Sequence, residues 1–128
     1  MKILVIVAAA LVLASPAQAQ EAELPPAVEA ALIEFEAWPD DFGAARQLGE
    51  VAASWGIWDL ALQGWERAEQ LGGPSHDVAL GKVVPLLELG RTAEARRAAK
   101  EATLLTPESG AAWRLLAWSR RQTNRWQA

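Results

Sequence analysis

Apolar and small residues recur at helical spacing along most of the chain. Between Trp58 and Leu71 they fall at Leu60, Ala61, Leu62, Trp65, Ala68 and Leu71, one stripe of an amphipathic helix. The period-two alternation of a half-buried strand is missing throughout. The pattern predicts six helices, near 27–38, 41–54, 58–71, 75–89, 92–105 and 109–122, and so an all-α chain. The first sets Val28, Leu32, Phe35 and Trp38 on one side, which lets it pack as a half-unit on the helix that follows.

The pattern also repeats. GIWDLALQGWERAEQL, from Gly56, returns as GRTAEARRAAKEATLL, from Gly90. Gly56, Gly90 and Asn124 are equally spaced, and Trp58, Thr92 and Trp126 keep the same interval, as do Ala45, Ala79 and Trp113. Ala61 and Ala95, Ala68 and Ala102, and Leu71 and Leu105 keep it too. A fixed period of this size means stacked supersecondary units, each burying its apolar face on its neighbours. The two glycines and Asn124 are the residues that most cheaply take the left-handed conformation ending a helix. The alanines let two backbones approach where helices cross, with Trp65 filling the space beside them. Pro39, Pro74 and Pro107 mark the other joints, each suited to a first helical position. Acids follow them at Asp40, Asp41, Asp77 and Glu108, where the helix dipole favours negative charge. Pro85 falls inside the fourth helix, where Gly81 four residues earlier would ease the ring clash and leave one kinked element. Arg120, one period beyond Leu86 and two beyond Ala52, places a charge where the earlier units are apolar, as a terminal cap would.

A helix–turn–helix unit with this period and this skeleton resembles the tetratricopeptide repeat. A first unit, about 42–75, supplies Leu48-Gly49, Ala61, Trp65 in the aromatic place, Ala68, and Pro74 one residue late. A second, about 76–109, keeps Ala95, Ala102 and Pro107 but has Lys82-Val83 for Leu-Gly and Ala99 for the aromatic. A third begins with Trp113, Leu116 and Ala117 and reaches Ala128 inside its second helix. The resemblance implies a short right-handed α-solenoid of stacked antiparallel helix pairs, about two full repeats with a half-repeat at each end. It also implies that one side of each unit's first helix lines a concave groove for peptides. That side carries Arg46 and Glu50, then Leu80, Val84 and Leu87, then Arg114, Trp118 and Arg121. Trp118 between two arginines has the composition of an interface hot spot; the alternative is that it packs under the last residues of the chain. Glu50 stands where the family's clamp for C-terminal carboxylates has a polar amide, so that subtype is not implied.

Composition changes the picture at three points. Lys2, the apolar run Ile3–Ala14 and the small residues Ala17 and Ala19 form a secretory signal peptide over 1–19, leaving 20–128 as the repeat domain. This makes the product exported, periplasmic or secreted, without stable membrane insertion once the leader is removed. There is no Cys, so packing alone must hold the fold. Charge is uneven: Gln20 to Glu66 holds ten acids and one base, Arg67 to Ala128 six acids and ten bases. The overall acidity argues against nucleic acid as a partner, and the asymmetry would suit head-to-tail self-association.

Candidate chemistry adds little. Ser75-His76-Asp77 has the letters of a hydrolase triad, but adjacent residues at a helix start point in different directions. No second ligand lies at metal-site spacing from His76, the single histidine. Arg91, Arg96, Arg97 and Lys100 read as a solvated helix face. Trp38, Trp55, Trp58 and Trp65 read as core or inter-repeat packing. The expectation is a module without enzymatic activity or cofactor that binds a protein or peptide. The alternative is a structural subunit that self-associates, as a homo-oligomer, or assembles onto an envelope complex.

Overall fold

The computed structural model describes residues 23–127, so the leader expected over 1–19 lies outside the described residues. Among these it is all-helical: α1 Pro26–Ala37, α2 Phe42–Ser54, α3 Trp58–Gly72, α4 His76–Glu88, α5 Thr92–Leu105 and α6 Gly110–Gln127. No helix among them is long and apolar enough to cross a membrane.

Each helix packs chiefly on its neighbours in sequence, and the tightest seams join α2 to α3 and α4 to α5. Alternate helices α2 and α4, then α4 and α6, also touch. The turns repeat along with the helices. After α2, Gly56 has φ 72° and after α4, Gly90 has φ 79°. Ile57 N–H donates to the Ala52 carbonyl at 2.9 Å, and one period later Arg91 N–H donates to that of Leu86 at 2.8 Å. This bond satisfies a carbonyl that the helix end would otherwise leave unpaired.

Asn124 departs from its expected role. No non-glycine residue takes a positive φ among the described residues, and α6 runs through Asn124 to Gln127. No second helix separates near Trp126. A side chain is strained in the left-handed region where glycine is not, and no separate element among the described residues after Asn124 packs back to offset that strain. The prolines differ as well. Pro39, Pro74 and Pro107 precede the helices, and the residues after them do the capping. The Asp41 carboxylate accepts from Gly43 N–H at 2.8 Å and Ala44 N–H at 3.3 Å. The Ser75 hydroxyl accepts from Val78 N–H and the Ser109 hydroxyl from Ala112 N–H, both at 3.3 Å. The proline that does open a helix is Pro26 of α1. Asp41→Ala should cost about 1 kcal/mol in a urea melt, the usual worth of such a cap. Pro85 sits buried within α4, which remains a single element.

The core centres on Trp65. Its indole lies in a slot between Gly49 of α2 and Gly81 of α4. A Cβ on Gly49 would stand 2.8 Å from the ring, and one on Gly81 would overlap it. Gly81 thus makes room for the tryptophan. Trp65 is buried, and its Nε1–H has no hydrogen-bond partner among the described residues. Trp38 and Trp55, expected in core or inter-repeat packing, are instead 64% and 58% exposed. Both stand at a helix's C-terminal cap, beyond the stripe that meets the next helix.

Three ion-paired ties cross between elements among the described residues. Lys82 of α4 reaches Glu69 of α3 at 2.9 Å, with the lysine side chain only 16% exposed. Arg67 donates to the Pro39 carbonyl at 2.9 Å and to the Asp40 carboxylate at 2.8 Å, holding α3 to the turn before α2. The third tie, through Arg46, belongs to the candidate site.

Candidate functional site

The expected groove residues sit on α2, α4 and α6, the three helices whose alternate members touch. Side chains four and three apart share one side of a helix. On α2, Arg46 and Glu50 are exposed and paired at 2.9 Å. Arg46 also meets Asp77, at the start of α4, at 3.5 Å. Two carboxylates therefore face one guanidinium, and this end of the row offers little net positive charge.

On α4, Leu80, Val84 and Leu87 are half-buried. Leu80 packs on Ala79, Ala102 and Ala112, and Leu87 on the cluster around Leu62, Val83 and Leu86. Leu80 and Leu87 thus present apolar surface to solvent while their inner sides are fixed by the core. On α6, Arg114 and Arg121 are exposed and Trp118 is half-buried. No carboxylate pairs with Arg114 or Arg121 among the described residues. The cationic end of the row is thus the α6 end.

Trp118 and Leu87 are brought together. They line a surface hollow of about 440 Å³ with Glu88, Gly90, Thr92 and Gln122. Arg114 and Arg121 are not among its walls, nor are the α2 residues. Sequence reasoning missed Gln122, one turn beyond Trp118 on the same side, and Asp77, whose contact with Arg46 depends on how closely α2 approaches α4.

The triad letters are dispersed into separate structural contacts. Ser75 caps α4, Asp77 faces Arg46, and His76 Nδ1 lies 3.3 Å from the Ala102 carbonyl at the end of α5. Among the described residues no group of three His, Asp or Glu is placed to hold a metal ion. The Glu94 carboxyl is held below its ordinary value, first by the hydrogen bond from Arg91 and then by that residue's charge. The same bond raises Arg91. This exposed pair opens α5. No protein-family model matches the chain, and no curated protein matches it.

Proposed function

We propose that the chain is an exported tetratricopeptide-like module that binds an extended protein segment and carries out no chemistry of its own. In this reading the antiparallel pairs α2–α3 and α4–α5, with α1 and α6 as half-repeats, stack as a short right-handed solenoid. The first helices, α2, α4 and α6, line its concave side. Export follows from the leader expected over 1–19.

One observation carries the reading: α2, α4 and α6 succeed each other in contact, with half-buried Leu80, Val84 and Leu87 between a neutralised α2 end and a cationic, aromatic α6 end. Half-buried aliphatic side chains on a rigid helix offer apolar area at little ordering cost, at roughly 25 cal/mol per Å² covered. A segment with apolar residues followed by an acidic one suits that sequence of surfaces. The acid would meet Arg114 or Arg121, and an apolar side chain would enter the hollow between Leu87 and Trp118.

The test is capture by crosslinking from the exported fraction, comparing the wild-type protein with Arg114→Ala combined with Trp118→Ala. The double variant should lose partner binding by at least about tenfold, the effect of removing a hot spot, while its helical circular dichroism is kept. Undiminished capture by a folded double variant would remove the groove assignment.

A further inference from the structure

The interior helix pairs meet along one tightly built seam. Gly64 of α3 lies so close to α2 that a Cβ would stand 2.5 Å from the Gly49 amide nitrogen and 2.7 Å from the Ala45 carbonyl oxygen. Ala61 and Ala68, on the same side, are fully buried. One period later α5 buries Ala95, Ala98 and Ala102, while α4 buries Ala79, Val83 and Leu86.

Each end of the described chain carries half of this seam with no helix on it. In α1 the positions one period before Ala61, Gly64 and Ala68 are Ala27, Ala30 and Glu34, all exposed. In α6 the positions one period after Ala79, Val83 and Leu86 are Trp113, Ala117 and Arg120, also exposed. Among the described residues, α1 is by register a second helix without a first, and α6 a first helix without a second.

We propose that these faces bind each other between copies. The α1 helix of one molecule docks on the α5–α6 end of the next, head to tail, and completes the open pair. Charge favours the same partner at long range, an acidic helix approaching a basic end. The α1 helix bears Glu29, Glu34 and Glu36 and no basic residue. The open end has a hollow of about 370 Å³ lined by Arg96, Arg97, Lys100 and Arg120 around Leu116. Docking also covers Ile33, 61% exposed on α1. Within the chain, Arg67 with Asp40 and Lys82 with Glu69 already join neighbouring elements by such pairs. Because the two faces differ, the contact is heterologous and growth continues past two copies unless a ring closes. The groove row takes no part in the seam, so failure of either reading leaves the other standing.

Sedimentation of the protein over a concentration series, at roughly 50 mM and 500 mM salt, tests the proposal. The expected result is a mass that rises past the dimer with concentration at low salt and falls at high salt. Ala30→Trp, at a site exposed in the single molecule, should abolish association while leaving the circular dichroism unchanged. The triple variants Glu29→Lys, Glu34→Lys, Glu36→Lys and Arg96→Glu, Lys100→Glu, Arg120→Glu should each weaken association more than about tenfold, through like-charge repulsion. Mixing the two should restore it, since each reversed face then meets its opposite. A wild-type protein that stays monomeric at low salt overturns the proposal. So does association indifferent to Ala30→Trp and to both charge variants, or a mixture of the two triples that fails to associate.

Discussion

Replacing Trp65 by alanine should lower the stability of the fold by about 3–5 kcal/mol, the range for truncating a buried tryptophan. The ring is a large side chain that α2, α3 and α4 share, lying between Gly49 and Gly81 with Ala45, Ala68 and Val78 around it. Neither glycine has a side chain that could relax into the space, so the cavity stays open. A small domain has about 5–15 kcal/mol in total, so the variant should be marginal in a urea melt. Phenylalanine should do much better. It leaves a smaller gap, and it removes a buried N–H without a partner, a group that costs about 1–3 kcal/mol. Gly81→Ala should then cost less beside Trp65→Phe than in the wild-type protein, a coupling read from a double-mutant cycle. If Trp65→Ala shifts the melt by no more than a surface substitution does, the slot is not where the fold is held.

The second large effect is expected from the smallest change. Gly64→Ala should destabilise by about 1–3 kcal/mol or more, as overpacking does. Helix propensity alone would predict a gain of up to about 1 kcal/mol from the same substitution. Sterics decide the sign, because the added Cβ meets the Gly49 amide and the Ala45 carbonyl, backbone atoms without a rotamer to change. The α2–α3 seam must open to admit it. Gly72→Ala is the contrast: there the Cβ would meet the ring of Phe42, which is 38% exposed and can swing aside. Thermal unfolding should show a fall of several degrees for Gly64→Ala, at about 4–8 °C per kcal/mol for a domain of this size, and little change for Gly72→Ala. Equal midpoints for the two would refute the close approach.

How much of this the sequence showed depended on what kind of signal was asked for. Helix positions were legible to within a few residues at five of six C-termini, because apolar spacing and the glycines after α2 and α4 are local. The last end was not. Asn124 matches Gly56 and Gly90 in position, but a turn needs a following element to pack back, and α6 continues to Gln127. The burial of individual tryptophans was legible only through the period. Trp65 shares a row with Ala31 and Ala99, both buried, whereas Trp55 shares one with Leu89, which is 42% exposed. Hydrophobicity alone made them equivalent. Of the groove residues, the half-buried character of Leu80, Val84 and Leu87 follows from their place beside the core stripe. The neutralisation of Arg46 does not, since its contact with Asp77 crosses from α2 to α4.

Since every helix rests mainly on the one before it and the one after, little of the native structure waits on remote parts of the chain finding each other. Closing short loops costs little entropy, and proteins built this way reach their shape on a scale of about microseconds to milliseconds. A hairpin can form as soon as its two helices are available, and the next can grow on it as a template. Such a chain can emerge end first, from a ribosome or a membrane pore, and begin folding before its last residues follow.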